Sequence, residues 1–226
     1  MKPMIVFDMN ETLLDLSALD PTFGMIFTSG SGAELRKKWF RQVLELFLTA
    51  TITHEYRDFD ALCDDALQML ARQQGHELDA DDRAALKAAQ AKLPAHPDAR
   101  PGLARLKDAG FTTAVLSNST ETASKALLKQ AGLDDTLDHV FSADVVERYK
   151  PAREAYEYAA TRLGVTPGDT VLVAAHAWDI SGAMAAGCDA AFIARPDKVL
   201  SPGQSTPRFR ADDIPSLAGE LVTAYR

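Results

Sequence analysis

Met4-Ile5-Val6-Phe7-Asp8-Met9-Asn10-Glu11-Thr12 is the stretch whose reading decides the fold. Four apolar residues run into a carboxylate, and polar residues follow at once. An unbroken apolar run of this length suits a strand buried on both faces, as in a parallel sheet. The polar residues after it read as the loop at the strand's C-terminal end. In open α/β sheets that edge is where ligands bind. Asp8 is therefore the first candidate for chemistry.

Working outward, a long helical pattern comes next. Leu35, Trp39, Val43 and Leu46 recur at helical spacing, and Phe40 and Phe47 widen the stripe. Phe59, Leu62, Ala66 and Met69 repeat it, with Asp58 as N-cap. An Ala-rich helix is expected over Asp81 to Lys92. No strand alternation interrupts the region from about Asp15 to Pro94. After His96 the pattern changes. Helices are expected over Pro101–Ala109, Glu121–Gln130, Pro151–Leu163 and Ile180–Ala186. Gly110, Gly132, Gly164 and Gly187 stand just past their ends. Strands are expected over Phe111–Leu116, Val140–Phe141, Thr170–Val173 and Ala190–Ala194. Ser201–Arg210, rich in Pro, Ser and Gly, reads as loop. Strands alternating with helices imply an α/β fold with a doubly wound parallel sheet. Residues 15–94 then form an all-helical insert between 1–14 and 95–226.

The chain has 226 residues, 46% of them hydrophobic, enough for one sizeable core and a smaller second lobe. A net charge of -8 argues against nucleic acid or an anionic membrane as the main partner. It does not argue against an anionic small molecule, because a local pocket can oppose the global charge. Cys63 and Cys188 form no disulfide framework and read as inert thiols of a reducing compartment. The apolar run at the N-terminus is too short for a signal peptide or a membrane span. A cytoplasmic location follows by default. His54, His76, His96 and His139 show no metal-ligand spacing.

Polar residues recur at the ends of the expected strands. Asp8 follows the first, Ser117 and Asn118 the second, Lys150 the third, and His176 and Asp179 the fourth. Each has an ordinary reading too. Ser117 and Asn118 could cap a helix, and Asp179 could be a first-turn acid favoured by the helix dipole. Arg36, beside Lys37 and Lys38, could belong to a solvated face. Phe59 and Tyr156 could be packing residues. Convergence of separate segments on one sheet edge outweighs these readings taken singly.

The motifs also carry a resemblance. Phe7 to Asp15, with Asp8 and Thr12 in a D-x-x-x-T spacing, resembles motif I of the haloacid dehalogenase superfamily. Ser117-Asn118 resembles motif II, Lys150-Pro151 motif III, and Ala177-Trp178-Asp179 part of motif IV. The helical insert resembles the family's cap domain, over a Rossmann-like core. The superfamily's phosphatases carry a second acid two residues after the nucleophile and an acidic pair in motif IV that holds Mg²⁺. Here those positions are Asn10 and Ala175. Asn10 cannot exchange a proton with a leaving group, and Ala175 offers no oxygen to a hard cation.

The chain is instead similar to the type II, or L-2-haloacid, dehalogenases, which use no metal or cofactor. That resemblance implies a short-chain 2-haloacid substrate, fluoroacetate included as an open case. Asp8 would attack carbon and form an ester, which water then hydrolyses to the 2-hydroxy acid. It implies Arg36 and Asn118 near the halide, Ser117 at the substrate carboxylate, and Asn10, Phe59 and Trp178 lining the substrate pocket. Lys150 would balance charge, Tyr156 would support the site, and Asp179 would orient Lys150 and the water. The type II pattern usually has Tyr at Asn10, Gly at Glu11, Ser at Ala174 and Asn at His176. His176 could replace the missing groups as a donor or as a base. Two other readings stay open: a Mg²⁺ phosphatase with an unusual acid, and an inactive member serving as a binding protein. The stripe of Trp39, Phe40 and Phe47 could serve a homodimer as well as the chain's own core.

Overall fold

A computed structural model describes residues 2–226. Strands β1 (Met4–Phe7), β2 (Thr113–Ser117), β3 (His139–Ser142), β4 (Thr170–Ala174), β5 (Asp189–Ile193) and β6 (Phe209–Ala211) form one sheet, ordered β3-β2-β1-β4-β5-β6. All its pairings are parallel. The central strand is β1, in register with β2 at Phe7↔Val115 and with β4 at Phe7↔Val173. The chain works outward from β1 through β2 and β3, then crosses back to β4. Asp8 thus leaves the sheet where the strand order reverses, the place where such sheets open a crevice.

Both faces of the sheet are covered, which is why its strands read as unbroken apolar runs. Ile5, Phe7, Val115, Val171 and Val173 face one core, shared with α5 (Ala99–Asp108), α9 (Ile214–Ala224) and the helical insert. Val6, Ala114, Leu116, Leu172 and Ala174 face the other, shared with α7 (Arg153–Leu163) and α8 (Ala177–Ala186). The remaining core helix is α6 (Glu121–Gln130). Cys63 and Cys188 are buried and unpaired.

Helices α1 (Asp20–Ile26), α2 (Gly32–Thr53), α3 (Phe59–Gln74) and α4 (Ala80–Gln90) all lie between β1 and α5. The two chain crossings that bound them run side by side. Asp15 N donates to Pro94 O at 2.8 Å, and His96 N donates to Leu13 O at 2.8 Å. Asp58 caps α3 as its sequence position suggests, accepting from Ala61 N at 2.8 Å. Trp39 and Phe47 of the α2 stripe are buried within the chain, and Trp39 Nε1 donates to Cys63 O at 3.0 Å. Phe40 and Leu46 of the stripe are only partly buried.

Three expectations need correction. The Ser201–Arg210 loop ends earlier, because Phe209 and Arg210 belong to β6. A strand of three residues is too short for a period-2 signal to emerge from sequence. Helix α9 was not anticipated; Asp213 caps it, accepting from Ser216 N at 2.7 Å. Helix α7 begins at Arg153, not Pro151, because Ala152 is its extended N-cap residue. Among the described residues no helix is long and apolar enough to cross a membrane.

Candidate active site

The site is built from the ends of four strands. Asp8 follows β1, and its amide donates to Val173 O of β4 at 2.9 Å, which holds the residue over the β1–β4 crevice. Lys150 follows β3 and reaches beneath it. Its Nζ lies 2.9 Å from Asp8 Oδ1 and 2.7 Å from Asp179 Oδ2. Asn118, at the end of β2, fixes the Lys150 backbone, with Oδ1 accepting from Lys150 N at 2.9 Å. All of these side chains are buried.

Donors saturate one oxygen of Asp8 and leave the other with room. Thr12 Oγ1 donates to Asp8 Oδ2 at 2.7 Å, and His176 Nδ1 faces the same oxygen at 3.0 Å. Ala175 N donates to Thr12 Oγ1 at 3.0 Å, so the Thr12 proton is directed at Asp8. Among the described residues Oδ1 meets only Lys150. Burial alone would raise the Asp8 carboxyl, but the charge of Lys150 and the bond to His176 outweigh it. Asp8 is therefore held ionised, well below the usual carboxylate range. Burial would also lower Lys150, yet Asp179 and Asp8 carry it above its ordinary value. Asp179 moves upward, driven first by burial, with Lys150 opposing.

His176 is bonded on both sides. Its Nε2 lies 2.9 Å from Glu11 Oε2 while Nδ1 faces Asp8. Trp178 stacks against the ring at 5.1 Å, and the Phe40 ring lies 6.0 Å away. Burial disfavours the imidazolium, but hydrogen bonds to Asp8 and Glu11 raise its pKa above the ordinary histidine value. Glu11 also receives Lys198 Nζ, and Arg36 Nη1 approaches it at 3.5 Å. Burial opposes the Glu11 charge, but His176 and Lys198 bring its pKa down to about 2.

The structure brings most of the sequence-predicted residues together. Asp8, Thr12, Ser117, Asn118, Lys150, His176, Trp178 and Asp179 share the C-terminal edge of the sheet. Ser117 Oγ accepts from Ser119 N at 3.0 Å, which leaves its own proton free to donate. Asn10 and Phe59 line an apolar cavity of about 470 Å³, with Trp39, Phe40 and Ser119. The Asn10 side-chain oxygen is buried there without a partner. Arg36 is buried rather than solvated, and its Nε donates to Asp20 Oδ1 at 2.5 Å. It reaches the site through Glu11. Tyr156 lies in the core beneath the site, not against either cavity. Its hydroxyl donates to Asp179 Oδ1 at 2.6 Å, so it acts through Asp179 instead of touching a substrate.

The structure adds two residues to the site that the sequence did not single out, Glu11 and Lys198. Glu11 stood inside motif I but was read only as a departure. Its φ of 60° lies in the left-handed region, which costs a side-chain-bearing residue roughly 1–2 kcal/mol. That explains why glycine suits the position. Lys198 comes from the loop after β5, and nothing local marks it. With Arg36, Lys37, Arg41 and Arg195 it lines a second cavity of about 880 Å³, which opens beside His176 and Trp178.

A magnesium ion does not fit this arrangement. The Lys150 ammonium already bridges Asp8 and Asp179, and Ala175 supplies no oxygen. Among the described residues no group of three or more His, Cys, Asp or Glu side chains has metal-binding geometry.

A family model for haloacid dehalogenase-like hydrolases matches residues 3–187. The chain is 40% identical over 184 residues to (S)-2-haloacid dehalogenase 4A of Burkholderia cepacia, covering 79% of this chain and 77% of that one. It is 30% identical to the (S)-2-haloacid dehalogenase of Pseudomonas sp. (strain YL), over 97% and 94% of the two chains. The L-2-haloacid dehalogenase of Xanthobacter autotrophicus, solved with chloropropionic acid covalently bound, superposes with a TM-score of 0.90. That pair is 27% identical and covers 100% of both chains.

Proposed function

The chain belongs to the haloacid dehalogenase-like hydrolases, and from that premise we propose that it is a hydrolytic dehalogenase of short-chain 2-haloacids. One observation carries the reading: Asp8 is a buried, ionised carboxylate, and the residue two places on is Asn10, not an acid. A phosphate ester would need a proton for its leaving alkoxide and a cation for its charge. A halide needs neither, only donors for the departing ion.

Asp8 attacks the α-carbon, the carbon–halogen bond breaks with inversion, and the halide leaves with the bonding pair. Lys150 balances the charge of Asp8 and of the substrate. Ser117 donates to the substrate carboxylate. Asn118 and Arg36 receive the halide, while Asn10 and Phe59 wall the apolar cavity and Trp178 the one beside His176. The cavity beside His176 sets Arg36, Lys37, Arg41, Arg195 and Lys198 against Glu11, Asp15, Asp20 and Asp197, most of them in ion pairs, so a substrate carboxylate depends on local donors and not on a net positive field. Water then attacks the ester at the Asp8 carbonyl carbon, with Asp179 as its proton acceptor and Tyr156 holding Asp179. Residues 1–14 and 95–226 serve as the catalytic core and 15–94 as the cap that encloses the substrate.

The test is halide release from (S)-2-chloropropanoate and from fluoroacetate, with and without EDTA, beside a generic phosphatase substrate. Halide release insensitive to EDTA is expected from the first. Chelator-sensitive phosphatase activity without halide release would sink the reading. Fluoride release sets how far the donors around Asn118 and Arg36 stabilise a small leaving ion.

A further inference from the structure

We propose that Glu11 keeps His176 as a protonated imidazolium, and that His176 and Thr12 form the oxyanion hole for hydrolysis of the Asp8 ester. This rests on the dehalogenase reading and assigns the half-reaction that reading leaves least specified.

The geometry starts from the two oxygens of Asp8. Oδ2 already meets two donors, Thr12 Oγ1 at 2.7 Å and His176 Nδ1 at 3.0 Å. Oδ1 meets Lys150 alone. A carboxylate oxygen offers two in-plane lone pairs, so Oδ1 is the oxygen free to attack carbon. The ester then forms through Oδ1, and Oδ2 becomes its carbonyl oxygen. Thr12 and His176 are already aimed at the atom on which charge develops when water adds. Donors fixed in place before the reaction are what such stabilisation requires.

The protonation of His176 follows from its partners. Both ring nitrogens face carboxylate oxygens, and only the imidazolium can donate to both. Alkylation removes the charge of Asp8, but Glu11 stays ionised and keeps its claim on Nε2. The other charged groups around the ring are Lys198, which meets Glu11 from the loop after β5, Arg36 from α2, Lys150 from the loop after β3, and Asp179 on α8. Phe40 and Trp178 contribute uncharged faces. Glu11 adopts its left-handed φ of 60° while His176, Lys198 and Arg36 all engage its carboxylate. Strain maintained by several converging partners marks a position held for function.

The step balances as follows. Water oxygen bonds to Asp8 Cγ, and the carbonyl π pair moves onto Oδ2. One water proton passes to Asp179. The intermediate collapses, the Cγ–Oδ1 bond breaks, and the departing alkoxide takes that proton from Asp179 as the 2-hydroxy acid. The second water proton leaves to solvent as the Asp8 carboxylate re-forms. His176 keeps both its protons throughout, so Glu11 is a positioning residue and His176 a catalytic one.

The ester is formed with (S)-2-chloropropanoate and followed by rapid quench and intact-protein mass. In the wild type the hydrolysis rate constant should fall as pH rises through the His176 ionisation. Glu11→Gln should move that alkaline limb to lower pH by about one unit or more. His176→Ala should slow hydrolysis by about a hundredfold, the typical effect of losing one oxyanion donor, so that the ester accumulates. His176→Asn, which keeps a neutral donor, should recover part of the rate and lose the limb. A hydrolysis rate that rises with pH through the same ionisation would make His176 a base and overturn the proposal. So would an unmoved limb in Glu11→Gln. A wild type that releases no halide overturns the dehalogenase reading itself.

Discussion

Lys150 and Asp179 form an ion pair of 2.7 Å in which neither side chain reaches solvent to any useful extent. The same ammonium holds Asp8 at 2.9 Å, so one cation serves two buried acids. Lys150→Met would leave those carboxylates without the cation that bridges them. Breaking a buried pair in this way typically costs about 3–5 kcal/mol. Chemical denaturation should show a loss of that order, and halide release should fall below detection. A variant of wild-type stability would refute the pairing.

Tyr156 tests the support beneath Asp179. Its hydroxyl bonds a carboxylate oxygen at 2.6 Å in the core. Tyr156→Phe leaves that acceptor short of a partner, at a cost of about 1.5–3 kcal/mol for a hydrogen bond to a charged group. Because Tyr156 acts through the proton acceptor of ester hydrolysis, kcat and KM should fall together while kcat/KM stays near the wild-type value. Steady-state kinetics separates the two constants. A rise in KM alone would place Tyr156 against the substrate.

Gly182 gives a prediction whose sign runs against propensity. Glycine to alanine inside a helix ordinarily stabilises by about 1 kcal/mol. Here a Cβ would lie 2.4 Å from Pro151 Cβ and 2.6 Å from the Tyr156 hydroxyl. Steric crowding of this kind costs about 1–3 kcal/mol and wins. Gly182→Ala should therefore lower the melting temperature. It should also reduce kcat, since it displaces both the Tyr156–Asp179 bond and the segment after Lys150.

The Glu11 carboxyl predicts how stability depends on pH. Its pKa falls from 4.5 to about 2 on folding, against burial, through His176 and Lys198. A lowered pKa means a stabilisation that is full above 4.5 and lost as pH falls toward 2. Urea unfolding of wild type and Glu11→Gln should differ most near neutral pH. The gap should narrow steadily below pH 4.5. His176 works in the opposite direction: its raised pKa gives a stabilisation present below 6.5 and lost as pH rises through the folded value. A gap that widens on acidification would mean that Glu11 carries no favourable charge.

Sequence by itself determined the architecture and the position of most of the chemistry. The apolar run into Asp8, the strand ends at Ser117, Lys150 and Asp179, and the helical periodicity of residues 15–94 are local patterns. Burial on both faces of a sheet, or along one stripe of a helix, writes such patterns into short windows. Set against the superfamily's motifs, Asn10 and Ala175 deprive the site of an acid and a cation ligand. Tertiary structure alone decided who pairs with whom. Glu11 and His176, 165 positions apart, meet only because β1 and β4 are neighbours. Arg36 leaves its apparent surface run for Asp20 and Glu11, and Lys198 arrives from a loop with no periodicity. Ion pairs across a sheet edge depend on distance in space, and nothing in a local window encodes that distance. The short strand β6 and helix α9 eluded reading for a related reason: their place comes from packing on β5 and α5, not from any strong pattern of their own.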